Sequence, residues 1–181
     1  MQKIDVGDKI VSERLNFREI TEEDFHSVYN ILKDKEIMYA WGHGFSENET
    51  REWIEKNRVR YKNEGYSYLF VTEKKTGNFV GLMGPLVEDI DGEKYIGVAY
   101  ILDKKYWGFG YATEAVRACI KYAFDFLDAN KVIAEIRPEN INSCKVAERA
   151  GMKVEGKFIK VYKGEKMLHL IYSILKENRN K

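Results

Sequence analysis

Cysteine, proline and histidine are scarce in this chain of 181 residues, which contains two, two and three of them. Cys119 and Cys144 are too few for the disulfide framework of a small secreted protein, and the amino end MQKIDVGDKI has no apolar core of signal-peptide length. We therefore expect a reduced, cytoplasmic protein. His26, His43 and His169 lie far apart, without the spacing of metal ligands, so the sequence predicts no metal site.

The chain also has no excess of either charge, because its 30 lysines and arginines are balanced by 29 aspartates and glutamates. The composition therefore gives no support to a nucleic-acid or membrane-surface partner. No apolar run approaches the roughly 20 residues of a membrane span. A chain of this length can bury about two thirds of its surface but is too short for two domains of usual size, so we expect a single domain over residues 1–181.

What the chain does contain is a regular alternation of apolar and polar residues. The pattern predicts strands over residues 10–20, 66–73, 79–87, 94–102, 131–137, 152–158 and 167–175, with residues 1–8 loose. It predicts three helices that begin at the cap residues Thr21, Ser46 and Asn140, and a long helix over residues 112–127. Pro85 predicts a bulge or a sheet edge within the third strand, since proline cannot donate to the ladder.

The long helix stands between the strands at 94–102 and 131–137, and this βαβ unit predicts that the two strands are parallel. Hairpin turns at 74–78 and 88–93 make the preceding strands antiparallel. The expected fold class is therefore α/β with a mixed, α+β-type sheet. Cys119 lies on the apolar face of the long helix, where we interpret it as a buried hydrophobe rather than a nucleophile.

The junction between the strand at 94–102 and the long helix has the sequence YWGFGYATEA, residues 106–115. Gly108 and Gly110 allow positive φ and close approach of a ligand, and the first amides of a helix lack intrahelical partners. Such a helix start favours an anion, most of all a phosphate. Thr113 replaces the third glycine of a dinucleotide-binding motif, and no P-loop lysine follows. A tight turn without a ligand is the alternative interpretation.

Together with the later run RPENINSCKVAERAGM, this junction resembles the Gcn5-related N-acetyltransferase (GNAT) superfamily, in the branch named for the ribosomal-protein N-terminal acetyltransferases. The resemblance covers nearly the whole chain, from VSERLNFREIT to LIYSILKE. It implies a GNAT-like single domain with helices on both faces of a mostly antiparallel sheet. It also implies a parallel strand pair that splays apart for acetyl-CoA, and transfer of the acetyl group to a primary amine.

The resemblance also implies site residues. Backbone groups of Tyr100, Ile101 and Leu102 would pair with the pantetheine arm, with the Leu102 amide nearest the acetyl end. The diphosphate would be wrapped by the segment of Trp107, Gly108, Phe109, Gly110, Tyr111, Ala112 and Thr113. Trp107 stands where the common superfamily pattern has Gln or Arg, although the branch often carries tryptophan there.

The run NINS, residues 140–143, matches the family's Asn-x-x-Ser. The resemblance implies that Asn140 bonds the pantetheine and that Ser143 acts as the catalytic acid, protonating the departing thiolate. Both residues are also ordinary helix-cap types, which is the alternative interpretation. Many superfamily members place a tyrosine acid where this chain has Ala147.

The acceptor amine stays open at this stage. A protein or peptide N-terminus with a pKa near 7.8 costs about 1 kcal/mol to deprotonate at pH 7, whereas a lysine-like amine near 10.4 costs about 4.6 kcal/mol. The N-terminus is favoured, and a small polyamine, amino acid or antibiotic is the alternative. A non-catalytic acyl-CoA sensor is the hypothesis from another class. Candidate bases are Glu36, His43, Glu93, Tyr100 and His169, each of which is more commonly a solvated or packed residue.

The loop at 33–45 carries the aromatic run MYAWGHGF and could contribute to acceptor binding, or could form a small satellite core. An open groove between this loop and the turn at 160–168 would favour a peptide, whereas a closed acidic pocket would favour a polyamine. The expected partners are acetyl-CoA and an amine, and either a monomer or a homodimer is compatible with the sequence.

Overall fold

A computed structural model describes residues 5–178, in which seven strands form one sheet in the order β1-β2-β3-β4-β5-β7-β6. The strands are β1 Leu15–Glu19, β2 Leu69–Glu73, β3 Phe79–Ile90, β4 Glu93–Leu102, β5 Lys131–Ile136, β6 Lys153–Tyr162 and β7 Glu165–Leu175. The helices are α1 Phe25–Leu32, α2 Glu47–Asn63, α3 Tyr111–Phe126 and α4 Ile141–Arg149. Only β4 and β5 are parallel neighbours, and the other pairs are antiparallel. The predicted mixed α/β sheet is confirmed.

The two sheet faces are covered by different helices because the strands alternate their side chains. Ile101 packs with α1 and α2, whereas Leu102, the next residue of β4, packs with α3. The α1–α2 side has a core that includes Ile20, Val28, Ile31, Leu32, Ile54 and Leu82. The α3–α4 side has a larger core that includes Leu69, Val71, Val80, Val116, Ala123, Phe124, Val132 and Ala147. This alternation decides which side chains can meet on each side of the sheet.

The chain before β1 differs from the prediction. Residues 1–4 of the segment predicted to be loose lie outside the described residues, but Val6–Lys9 forms a 3-10 turn in which Val6 is buried. Asp5 fixes this turn, since its carboxylate accepts hydrogen bonds from the backbone of Gly7 and Glu19 at 2.8 Å each. The prediction of a loose segment is therefore wrong for residues 5–8. The first strand is also shorter than predicted: the Ser12 hydroxyl and the Arg14 amide bond to Glu114 of α3, while the Arg14 carbonyl accepts from the Lys74 amide just past β2.

The predicted capping box of α2 is confirmed. The Glu49 amide donates to the Ser46 hydroxyl at 3.2 Å, and the Ser46 amide donates to the Glu49 carboxylate at 2.8 Å. Reciprocal bonds of this kind satisfy two helix-end donors and contribute about 1 kcal/mol. The first turn of α2 therefore has a fixed position beside the aromatic loop that precedes it.

Pro85 lies within a continuous β3–β4 ladder, opposite Val98. The β2–β3 pairing ends at Met83, so Pro85 lies on a stretch of β3 that β2 no longer covers. The missing N–H therefore costs no ladder bond. Of the two alternatives, the sheet edge applies at Pro85. The register irregularity of β3 lies at Val80, which is skipped between the Val71–Gly81 and Thr72–Phe79 pairs.

No helix in the described part of the chain has both the length and the apolar composition needed to cross a bilayer.

Candidate active site

The parallel strands β4 and β5 separate near their middle. Their pairing consists of Ile96 with Val132 and Gly97 with Ile133, although β4 continues to Leu102 and β5 to Ile136. Past Gly97 the two strands are therefore no longer paired, and a gap lies between their carboxyl-terminal halves. We call this space the β4–β5 gap.

The backbone of β4 faces this gap at alternate residues. The Asp103 amide donates to the Val80 carbonyl at 3.0 Å on the β3 side. Because hydrogen-bonded pairs alternate along an antiparallel ladder, the backbone groups of Tyr100 and Leu102 point away from β3, toward the gap. The Leu102 carbonyl accepts a bond from the Trp107 indole at 3.0 Å. Trp107 thus braces the strand end, and its polar group is occupied by the protein.

The glycine turn leads directly from β4 into α3. Gly108 and Gly110 have φ values of +83° and +80°, a conformation that other residues rarely adopt. The first helical bond is donated by the Glu114 amide to the Gly110 carbonyl, at 3.0 Å. The amides of Tyr111, Ala112 and Thr113 meet no protein acceptor in the described part of the chain. The helix start therefore presents three free donors.

The gap and the helix start open into one cavity of about 1370 Å³. Of the predicted site residues, those that line it are Tyr100, Ile101, Leu102, Trp107, Gly108, Gly110, Tyr111, Ala112, Thr113, Asn140 and Ser143. The exception is Phe109, whose ring is 63% exposed to solvent. Its backbone carbonyl instead accepts a bond from Arg14 at 3.0 Å. The structure thus brings the two sequence motifs together and leaves the side chain of Phe109 outside.

The start of α4 lies on the opposite side of the gap from the glycine turn. The Asn140 side chain caps the helix by accepting from the Ser143 amide at 3.3 Å. The Ser143 carbonyl accepts a bond from the Tyr100 hydroxyl at 2.7 Å, which ties α4 to β4. The Ser143 hydroxyl has no partner within residues 5–178. Asn140 therefore caps the helix and lines the cavity as well, and the Ser143 hydroxyl stays available in the cavity although its amide is used by the cap.

Three of the five candidate bases line the cavity, namely Glu36, Tyr100 and His169, whereas Glu93 and His43 do not. Burial raises the pKa of Tyr100 far above its ordinary value, so this phenol is not a base at neutral pH. Glu36 pairs at the rim with Lys104, at 3.0 Å. Burial lowers the pKa of His169, whose Nδ1 contacts the Met167 carbonyl at 3.1 Å. Only His169 keeps a free, neutral nitrogen for proton transfer.

A group of charges on the α2 side of the gap was not predicted from the sequence. Glu88 of β3 and Glu135 of β5 both line the cavity, and Lys160 of β6 bonds to the Glu135 carboxylate at 2.5 Å. Glu88 reaches across β4 over Gly97, where an added Cβ would lie 2.6 Å from the Glu88 Cγ. Gly97 therefore permits the two carboxyl groups to meet. We refer to them as the Glu88–Glu135 pair.

The pair holds a proton near neutral pH. Burial, followed by repulsion from Glu135, raises the pKa of Glu88 to about 7. Glu135 is 4% exposed, and its Oε1 has no hydrogen-bond partner in the described structure. A proton held on Glu88 is the donor available to that oxygen.

The raised pKa of Glu88 makes stability depend on pH. Because the folded state binds this proton more tightly than the unfolded state, its contribution is complete below about pH 4.5 and is lost as the pH rises through about 7. Between about pH 5.5 and about pH 8.5, the wild-type free energy of unfolding should fall by about 2 kcal/mol relative to Glu88→Gln. Urea unfolding of both proteins at the two pH values measures this difference. Parallel pH profiles would contradict the assignment.

The aromatic loop before α2 is divided between core and cavity. Met38 is buried in the α1–α2 core and Tyr39 lines the cavity, whereas Phe45 and Trp41 contribute to both. Lys163, in the turn between β6 and β7, forms an ion pair with Glu49 of α2, and its Nζ lies 3.3 Å from His43 Nε2 of the loop. Met38 and Phe45 thus pack into the main α1–α2 core, and a role of the loop in acceptor binding stays a prediction.

The cavity wall carries charges of both signs. The carboxylates that line it are Glu36, Glu49, Glu52, Glu88, Glu135 and Glu139, and the cations are Lys35, Lys56, Arg60, Arg137, Lys145, Arg149, Lys160 and Lys163. It is therefore not the acidic pocket that a polycation would need. Burial raises the pKa of the Cys119 thiol to about 12, and both cysteines are buried, so neither is suited to act as a nucleophile. Residues 5–178 contain no cluster of three or more potential metal ligands.

A mixed sheet with one splayed parallel pair and a glycine turn at the start of a central helix is the arrangement of the GNAT acetyltransferase fold. The family model described as an acetyltransferase (GNAT) domain matches residues 14–153. The chain therefore belongs to the GNAT family, and it is an acetyl-transferring enzyme.

Individual relatives agree with this assignment. The chain is 32% identical to uncharacterized protein YkkB of Bacillus subtilis over 145 residues, which cover 80% of this chain and 84% of that protein. It is 29% identical to the uncharacterized N-acetyltransferase YnaD of the same organism over 174 residues, covering 94% and 99%. A crystal structure of a GNAT-family acetyltransferase from Bacillus anthracis is 29% identical, with a TM-score of 0.78 over 93% of this chain and 98% of that one.

Proposed function

We propose that this enzyme transfers the acetyl group of acetyl-CoA to the α-amine of a protein or peptide N-terminus. The observation that carries the proposal is the single cavity of about 1370 Å³, which runs from the free amides of α3 through the β4–β5 gap to the Glu88–Glu135 pair. Its walls are of mixed charge and partly aromatic, which suits a peptide backbone with a neutral or singly charged end. The acceptor is therefore the N-terminus of a polypeptide rather than a polycation.

The residues present fit acetyl-CoA. The diphosphate matches the three free amides at the start of α3, where the helix dipole also favours an anion. The backbone groups of Tyr100 and Leu102 would pair with the amides of the pantetheine arm, as an added strand does. Bound acetyl-CoA supplies a thioester as the acetyl donor. Asn140 and Ser143 face the same space from α4.

The Glu88–Glu135 pair is suited to act as the base. A base whose pKa lies near the working pH accepts a proton from an α-ammonium at little cost, because that group has an ordinary pKa near 7.8. The nitrogen lone pair then forms the C–N bond as the C–S bond breaks. Glu88 holds the first proton of the ammonium, and the second leaves to solvent as the amide forms. The Ser143 hydroxyl would protonate the thiolate and regain its own proton from solvent. No acetyl-enzyme is formed.

The fold does not identify the acceptor, because enzymes with different acceptors share it. A spermidine N-acetyltransferase from Vibrio cholerae has a TM-score of 0.73 at 18% identity, and the ribosomal L7/L12 α-N-protein acetyltransferase RimL has a TM-score of 0.72 at 18% identity. Such similarities establish only the fold. The preference for an N-terminus rests on the charge of the cavity wall and on the pKa match.

The test is a comparison of acceptors by thiol release from acetyl-CoA. Peptides with a free N-terminus should be acetylated with a kcat/KM at least about tenfold above that of spermidine or of the same peptides with a blocked N-terminus and a free lysine, because the lysine-type amines cost more to deprotonate. Mass spectrometry should find no acetyl group on either cysteine. Preference for the polyamine would contradict the proposed acceptor. Tight binding without turnover of any amine would instead support a sensor.

A further inference from the structure

The segment that precedes β1 contacts the glycine turn and the first turn of α3. The Glu114 carboxylate, in the first turn of α3, accepts bonds from the Ser12 hydroxyl at 2.5 Å and from the Arg14 amide at 2.6 Å. It also forms an ion pair with the Arg14 guanidinium at 2.6 Å. One carboxylate thus joins two segments that are about 100 residues apart in the sequence.

Arg14 also contacts the turn itself. Its Nη1 donates to the Phe109 carbonyl at 3.0 Å, and its Nη2 lies 3.5 Å from the place that a Cβ on Gly110 would take. The guanidinium lies over the Tyr111 ring, 4.2 Å from its centroid. Arg14 therefore touches three successive residues that lead into the helix, and it fixes the Phe109 carbonyl on the outer side of the turn.

The charge of Glu114 makes this contact important for an anionic ligand. Although burial opposes ionisation, the bonds from Ser12 and Arg14 lower the pKa of Glu114, so it is a carboxylate at neutral pH. It lies in the same first turn of α3 as the free amides of residues 111–113. An unpaired carboxylate there would oppose a diphosphate, whereas the Arg14 guanidinium cancels its charge.

We propose that Arg14 is a positioning residue for the coenzyme: it neutralises Glu114 and holds the Phe109–Gly110 turn in the conformation that receives the diphosphate. This inference rests on the proposed function, since it requires that the α3 amides bind that group. It assigns a role in coenzyme affinity to a residue of the β1 approach, outside both sequence motifs.

A purely structural brace would produce a different result, and the chain offers a matched control. Arg18 of β1 forms a two-bond ion pair with Asp24, at 2.7 Å for each bond, and lies 4.0 Å from the centroid of the Phe70 ring. Arg18, four residues after Arg14, thus also combines an ion pair with a contact to an aromatic ring, but it does not contact the glycine turn. Arg18→Met measures the effect of losing a partly exposed ion-pair brace alone.

The experiment measures the Kd of CoA by calorimetry for the wild type, Arg14→Met, Arg18→Met and the double variant Arg14→Met/Glu114→Gln. Arg14→Met should weaken CoA by about 10- to 100-fold, the range expected for loss of a charge-assisted contact. Arg18→Met should stay within about twofold of the wild type. The double variant should recover at least half of the lost affinity on a logarithmic scale, because the uncancelled charge is removed.

A second readout uses acetyl-pantetheine, a donor that lacks the diphosphate. Its kcat/KM should be the same for Arg14→Met and the wild type, whereas a distorted fold would lower it. Equal CoA affinity for Arg14→Met and Arg18→Met, or no recovery in the double variant, would overturn the inference. Failure of the wild type to bind CoA would instead overturn the proposed function, so the two failures are distinguishable.

Discussion

Replacing Glu88 by glutamine should lower kcat/KM for a peptide acceptor by about 10²- to 10⁴-fold, because an amide of the same size cannot take the amine proton. In the wild type, kcat/KM should rise with pH through about 7, as Glu88 loses its proton. In Glu88→Gln this dependence should be replaced by that of the acceptor amine alone. Initial rates of thiol release across the pH range measure both effects.

Three controls separate this role from general damage. The Kd of CoA should be unchanged in Glu88→Gln, because the α3 amides are not altered. Glu93→Gln changes a carboxylate at the β3–β4 turn that does not line the cavity and should leave activity unchanged. His169→Phe removes the imidazole, which is the other candidate base that lines the cavity. If His169→Phe abolishes activity and Glu88→Gln does not, the histidine is the base and our assignment is wrong.

Replacing Gly110 by valine should raise the Kd of CoA by about 100-fold or more, equivalent to about 2.7 kcal/mol. Gly110 has φ of +80°, which a β-branched residue adopts only with strain, and the relaxed turn would move the amides that follow. Calorimetric titration with CoA measures the loss.

The matched variant is Gly77→Val, in the turn between β2 and β3. Gly77 has φ of +74°, and nothing lies within 4 Å of an added Cβ. It should therefore lose a similar amount of stability, of the order of 1–3 kcal/mol, and bind CoA normally. If folded Gly110→Val binds CoA as tightly as the wild type, the diphosphate does not lie at this turn.

The parts of the fold that depend on local pattern could be predicted from the sequence. The long helix has an unbroken apolar stripe, Ser46 and Glu49 have the spacing of a capping box, and the βαβ order dictates a parallel pair. The glycine turn and the Asn140 cap were placed correctly for the same reason. Each of these features is decided by residues that are close together along the chain.

Features that depend on packing between distant segments could not be predicted in this way. Glu88 meets Glu135 only because Gly97 leaves room across the intervening strand, and strand patterns do not reveal that register. The one available signal was Glu135, a charged residue that follows the apolar residues VIA within the run KVIAEI of β5. Arg14 and Glu114 were missed for a similar reason, since their partners are 100 residues apart.

The short ladder between β4 and β5 also affects the mechanics of the molecule. The half of the sheet formed by β5, β7 and β6 is joined to the other half by two residue pairs, supplemented by the packing of α3 and α4. The β4–β5 junction is held by fewer backbone pairs than any other junction in the described sheet. Amide hydrogen exchange should therefore be fastest in the residues of β4 and β5 that border the β4–β5 gap. A ligand that bonds to both β4 and β5 replaces the missing backbone pairs. Its binding would therefore make the two halves of the sheet more rigid relative to each other.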